Sequence, residues 1–261
     1  MDKPIRVAIS GAGGRMGRET ALAVYGEARE MTLVGAADPA YTGKTLSELL
    51  AIDCPVEIKG SLAEALDSVQ ADVAVVFSVP SAAMSDIRTA MNAGAVPVVG
   101  TTGITEENLA EIKELAEKKG IGAIIAPNFA IGAVLMMKFA AEAAKYLPAV
   151  EIIELHHDKK LDAPSGTAIK TAQMISEVRS QGNACKGDNA ARGAEFHGVN
   201  IHSVRLPGLV AHQEVIFGGV GQTLTIRHDS IDRKSFMPGV LLAIKRAVGL
   251  THVIYGLEKI L

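Results

Sequence analysis

"IRVAISGAGGRMGRE", residues 5–19, is the stretch on which the reading of the whole chain turns. Residues 5–10 form a short apolar run rich in β-branched side chains, and it stops at a glycine cluster that opens a helix-compatible stretch to about Ala28. Gly11, Gly14 and Gly17 recur at three-residue steps, an imperfect fit to G-x-G-x-x-G, yet the physics of a phosphate-binding turn is intact. Gly11 permits a tight turn, Gly13 and Gly14 let a pyrophosphate approach the backbone, and Gly17 lets the helix close on the strand. The helix start then offers unpaired N–H groups and positive potential to phosphates. "MTLVGAAD" (31–38) reads as a second strand, and Asp38 at its end stands where an acid accepts hydrogen bonds from a ribose diol. Pro39 follows it, so a 2′-phosphate would meet a carboxylate without a dedicated cation. That favours NADH, with Arg15 and Lys44 keeping NADPH open.

Working outward, "ADVAVVFSVP" (71–80), "AVPVVGTTG" (95–103) and "IGAIIAPNF" (121–129) are continuous apolar runs ending in small or polar residues. Between them lie helical stretches. "TEENLAEIKELAEKKG" (105–120) begins acidic and ends basic at a glycine, matching the helix dipole. This alternation predicts an α/β fold with a doubly wound parallel sheet. "GTTG" (100–103) and "APNF" (126–129) follow strands of that sheet and are placed to line its ligand crevice.

After Asn128 the pattern changes. A helix over about 132–146 leads into "VEIIELHH", and "HSVRLPGLVAHQEVIFG" and "TLTIRHDS" read as longer antiparallel strands, interrupted by a glycine-bearing loop at 180–198. The expected organisation is a dinucleotide-binding domain over 1–127, completed by a C-terminal helix over 237–261, and an α+β domain with an open sheet over 128–236.

The bulk composition agrees with two domains. The 261 residues are 48% hydrophobic, 4% aromatic and without Trp, so the core must be built from Ala, Val, Ile and Leu. A net charge of −3 argues against nucleic acid as partner, and no apolar run approaches a membrane span. The N-terminal residues run straight into the first strand, and the expected location is the cytoplasm. Cys54 and Cys185 are unclustered, so neither a disulfide nor a metal site is expected.

"HHDKKLDAPSGTA" (156–168) concentrates titratable groups before a helix start, with Asp162 or Ser165 as the cap. Gly166 and Thr167 would place N–H groups and a hydroxyl at the helix's positive end, a site for a carboxylate. Lysine and histidine beside it add positive potential, suiting a small doubly anionic substrate. Adjacent histidines on a strand face opposite sides, which disfavours a shared metal. His197, His202, His212, His228 and His252 lack such a setting and read as core or surface residues.

Together, "VAISGAGGRMGRE", "VVGTTG", "APNFAIG" and "ELHHDKKLDAPSGTA" resemble the dihydrodipicolinate reductase family of lysine and diaminopimelate biosynthesis, in the right order over essentially the whole chain. The resemblance implies a nicotinamide-dependent reductase with a Rossmann-type domain, a mixed-sheet substrate domain and a homotetrameric assembly. It implies that His156 exchanges the proton, that Lys160 is also catalytic, and that His157, Gly166 and Thr167 bind a dianionic cyclic imine. For the cofactor it implies Gly11, Ala12, Gly13, Gly14, Arg15, Met16, Asp38, Gly100, Thr101, Thr102, Ala126, Pro127, Asn128 and Phe129. Two other readings stay open from the residues: a related dehydrogenase of amino or oxo acids, and a nucleotide sensor without turnover.

Overall fold

The computed structural model describes residues 3–179 and 190–261. In chain order the strands are β1 (Ile5–Ser10), β2 (Met31–Ala37), β3 (Ile58–Lys59), β4 (Val73–Val76), β5 (Val96–Val99), β6 (Ala123–Ile125), β7 (Ala149–His156), β8 (Ala194–Phe196), β9 (Val199–Arg205), β10 (Ala211–Gly219), β11 (Gln222–Ser230) and β12 (Val253–Tyr255). The helices are α1 (Arg15–Gly26), α2 (Leu46–Leu50), α3 (Leu62–Asp67), α4 (Pro80–Asn92), α5 (Glu106–Lys119), α6 (Ile131–Ala144), α7 (Gly166–Ser176) and α8 (Met237–Ala247). The chain divides into two compact units, one running to Phe129 and resuming at Phe236–Leu261, the other Ala130–Ser235.

The first unit is a seven-stranded sheet in the order β12-β6-β5-β4-β1-β2-β3, every neighbouring pair parallel. Helices cover both of its faces, so the inner strands are buried throughout: Val73, Ala74, Val75 and Val76 are all solvent-inaccessible. Local signals place the helices. Thr105 and Asn108 form a reciprocal cap at the start of α5, Lys118 and Lys119 occupy its last turn, and Gly120 ends it at φ 66°. All strands run the same way, so the segments after β1, β2, β4, β5 and β6 lie along one edge. The order reverses beside β1, the position where such sheets bind ligands.

Two expectations need correction here. The C-terminal segment is not a helix to residue 261: α8 ends at Ala247, Gly249 turns the chain at φ 74°, and β12 pairs in parallel with β6 at the sheet edge. The β-branched pair Val253–Ile254 extends the sheet where no helical continuation is possible past that turn. The apolar run over 71–80 is a strand only to Val76, because Pro80 begins α4.

The second unit is a five-stranded mixed sheet, β11-β10-β7-β9-β8. β10 is antiparallel to both β7 and β11, as its long alternating pattern predicts. β9, expected to be antiparallel, instead runs parallel to β7 and antiparallel to β8. Parallel neighbours need a crossover, and α7 lies between them in sequence to supply it. Residues 180–189 of the expected loop, with Cys185, lie outside the described residues; Cys54 is buried and unpaired. Among the described residues no helix is long and apolar enough to cross a membrane, and no group of three or more His, Cys, Asp or Glu is placed to hold a metal.

Candidate active site

In the first unit the glycine turn joins β1 to α1. Gly11 takes φ 77°, and a Cβ there would sit 2.6 Å from the Phe77 carbonyl oxygen. At Gly17 a Cβ would fall 2.0 Å from the Gly11 oxygen, so only glycine lets α1 approach the turn. Gly14 is exposed, and α1 begins there without a side-chain cap, leaving first-turn N–H groups for an anion. Ala12 is buried beneath the turn, Arg15 is exposed and Met16 is half-buried.

Asp38 sits at the end of β2, and its carboxylate braces the turn. Oδ2 accepts from the Gly13 N–H at 2.9 Å and Oδ1 from the Ala40 N–H at 3.0 Å. A carboxylate has about four acceptor positions, so capacity remains for a ribose. The face of Gly13 where a Cβ would point is covered by the Tyr41 ring, 2.1 Å from that position. Arg18 donates to the Gly13 carbonyl and to the Tyr41 hydroxyl, each at 2.8 Å, and Lys44 Nζ lies 5.8 Å from the centre of the Tyr41 ring. The sequence reading missed Tyr41 and Arg18; an aromatic three residues after Asp38 and a cation on the first helix were the available signals.

Farther along the edge, Gly100 is wedged by Phe77 and Phe129, whose rings meet edge to face at 5.9 Å. Thr101 is buried, and its hydroxyl donates to the Ser78 carbonyl at 2.8 Å, tying the segments after β4 and β5 together. Thr102 and Pro127 are exposed, Asn128 is half-buried, and Ala126 and Phe129 are buried. The Ser78 hydroxyl is buried with no hydrogen-bond partner, a polar atom that a ligand would satisfy. With the uncapped α1 terminus and Asp38, it makes this edge fit a dinucleotide.

In the second unit, the spacing Glu154-x-His156 on β7 puts both side chains on one face of the strand. Glu154 is fully buried, and His156 is 14% exposed. His156 Nδ1 hydrogen-bonds Glu154 Oε2. Arg205, at the end of β9 and in register with His156, grips the same carboxylate with two prongs at 2.8 and 2.7 Å. The Ser165 N–H donates to Oε1 at 3.2 Å. Burial alone would push the Glu154 carboxyl up, but hydrogen bonds from His156, Arg205 and Ser203 outweigh it and hold it at about 2. Neither Glu154 nor Arg205 was given a role from the sequence. The two-residue period to His156 exposes the first, whereas the second is brought in only by strand pairing.

His157 lies just beyond the strand. Lys160, 22% exposed, places its ammonium 2.7 Å from both oxygens of Asp162. That bond, with nearby Arg205 adding to it, keeps the Asp162 carboxyl below the usual range. Lys159 and Asp158 are exposed. Ser165, not Asp162, caps α7, accepting from the Ala168 N–H at 3.2 Å. Gly166 is exposed, with no atom within 4 Å of the position of a Cβ, and Thr167 beside it is half-buried. The structure thus divides the charge cluster into a Glu154–His156–Arg205 group built on a buried carboxylate, an outer Lys160–Asp162 pair and a helix start capped by Ser165 with Gly166 exposed. Of the other histidines, His202 pairs with Glu151 and His212 with Asp229.

Comparison with known proteins agrees with this layout. Family models described as dihydrodipicolinate reductase, N-terminus, and dihydrodipicolinate reductase, C-terminus, match residues 5–129 and 132–261. A 4-hydroxy-tetrahydrodipicolinate reductase of Desulfitobacterium hafniense is 52% identical over 99% of both chains. One from Halalkalibacterium halodurans is 54% identical over 98% of this chain and 99% of its own. Among solved structures, a dipicolinate-bound dihydrodipicolinate reductase from Paenisporosarcina sp. TG-14 is 45% identical, covers 99% of this chain and 100% of its own, and superposes with a TM-score of 0.83. The chain is therefore an oxidoreductase and belongs to the dihydrodipicolinate reductase family.

Proposed function

We propose that this enzyme converts 4-hydroxy-tetrahydrodipicolinate to tetrahydrodipicolinate, with loss of water, in lysine and diaminopimelate biosynthesis, and that it uses NADH in preference to NADPH. The observation that carries the reading is His156, a slightly exposed imidazole held at the end of β7, in a segment that leads to the Ser165-capped start of α7. In this reading residues 1–127 with the C-terminal segment bind the dinucleotide, and residues 128–236 bind substrate and build a homotetramer. The half-buried Ile153, Leu155, Val204 and Ile216 of the second sheet support such an assembly. The cytoplasm is the proposed location.

Loss of hydroxide and a proton from the 4-hydroxy cyclic imine leaves a conjugated, electrophilic system. When bound, reduced nicotinamide supplies a hydride. Electron density moving to the ring nitrogen then needs a proton, and His156 is placed to exchange it through Nε2. Lys160 releases Asp162 to meet a substrate carboxylate, and the Gly166 and Thr167 N–H groups with the Thr167 hydroxyl receive the other. His157 adds a polar contact. Asp38 takes the adenosine ribose, where it disfavours a 2′-phosphate. Arg18 and Lys44, both near the Tyr41 ring, support residual NADPH use.

The test is NADH oxidation with freshly generated cyclic substrate, repeated with other oxo acids. Turnover confined to the cyclic substrate is expected. Faster turnover of an oxo acid would move the assignment to a related dehydrogenase, and tight NADH binding without turnover would indicate a sensor.

A further inference from the structure

Glu154 is a buried ionised group that the proton and hydride chemistry does not itself require. We propose that Glu154 is a positioning residue for His156, fixing the imidazole so that Nε2 faces the substrate, with Arg205 holding the carboxylate in place. The inference rests on the reading of His156 as the proton-exchanging group.

Three observations carry it. An ionised carboxylate only accepts hydrogen bonds, so its bond to Nδ1 requires the proton on Nδ1 and leaves the lone pair of the neutral ring on Nε2. A neutral imidazole without such a partner has no fixed tautomer, and a fraction of molecules would present the wrong nitrogen. The carboxylate is in turn immobilised by the two-pronged Arg205 contact and by the Ser165 N–H, so ring and helix start are referenced to one buried group.

The Lys160–Asp162 pair differs on each point. Asp162 is largely exposed and its side-chain partner is the Lys160 ammonium, not an imidazole, so it neutralises charge but orients no ring.

The experiment compares Glu154→Gln, Glu154→Asp and the double variant Glu154→Leu/Arg205→Met. The last removes both charges at once, so no buried charge is left unpaired. Glu154→Gln should lower kcat about 10²-fold while KM for substrate and for NADH changes less than about threefold, and Glu154→Asp should recover about tenfold of that loss. Nitrogen-15 NMR of histidine-labelled protein, with the His156 signals identified by their loss in His156→Gln, should show the Nδ1-protonated form in the wild type. A mixture of tautomers is expected in the double variant, together with a folded thermal transition and a kcat still about 10²-fold down. If the double variant turns over at the wild-type rate, or keeps the single wild-type tautomer, Glu154 is a structural ion-pair partner only and the proposal is overturned. A wild-type enzyme that fails to reduce the cyclic substrate would sink the functional reading instead, and the NMR comparison would still decide whether Glu154 sets the imidazole.

Discussion

Along the carboxyl edge of the parallel sheet, the groups offered to a ligand are main-chain N–H donors, a serine hydroxyl and one acid. At the end of β7 they are charged side chains held by other charged side chains. The first region depends on where a Cβ cannot fit, as at Gly11 and Gly17. The second depends on which partner each titratable group keeps, as with Glu154 between His156 and Arg205. A backbone-built site tolerates most side-chain changes, and in the proposed function it governs affinity. A site built from paired charges is sensitive to single substitutions, and in the same proposal it governs turnover.

The contrast breaks most visibly through the two residues proposed to carry the proton chemistry. His156→Gln and Lys160→Ala should each cut kcat by about 10²-fold or more, with the dissociation constant for NADH, read by fluorescence, unchanged. An equal loss of NADH affinity would dissolve the division of labour. Next in size, Gly17→Ala should destabilise the protein by roughly 3 kcal/mol, because the new Cβ would meet the Gly11 oxygen at 2.0 Å. Calorimetry should register a fall in Tm of roughly 6–12 °C.

The acid limb of stability sharpens the second region. The folded Glu154 carboxyl, at about 2, lies below its ordinary 4.5. Its contribution is complete above pH 4.5 and is lost as pH falls from there to about 2, since the unfolded chain takes up the proton first. Up to about 3 kcal/mol is at stake. Melting curves across pH 2–5 should show this dependence in the wild type and lack it in Glu154→Leu/Arg205→Met. Smaller again, Asp38→Asn should weaken NADH about tenfold and raise the relative use of NADPH; unchanged NADH affinity would remove Asp38 from the cofactor site. The smallest effect belongs to Gly166→Ala. With open space where the Cβ would go, its Tm should hold within about 1 °C while KM for substrate rises a few-fold.

Much of the fold is legible in the sequence because each buried strand of the parallel sheet is a continuous apolar run and several helices carry their own end signals. α5 is the clearest case, with cap, dipole-matched charges and terminal glycine all local. What is not legible depends on partners remote in sequence. β3 has two residues and β12 three, too short to show a period, and both exist as strands because a neighbouring strand offers them hydrogen bonds. The direction of β9 follows from the α7 crossover and not from its own alternation. In the candidate site, the segment 156–168 announces its chemistry through composition and the Ser165 cap. Tyr41 over Gly13, Phe77 against Gly100 and Arg205 on Glu154 are set by tertiary packing alone.

Arg205 does more than neutralise a carboxylate. Besides Glu154, its guanidinium donates to the Asp162 carbonyl at 2.7 Å. The loop from His157 to Pro164 is therefore latched to the buried layer of the sheet, and lifting it away would strip a donor from an interior acid. Such a loop resists breathing: its opening is tied to rupture of the sheet's own charge pairing, so its amide hydrogens should exchange with solvent more slowly than its exposure implies.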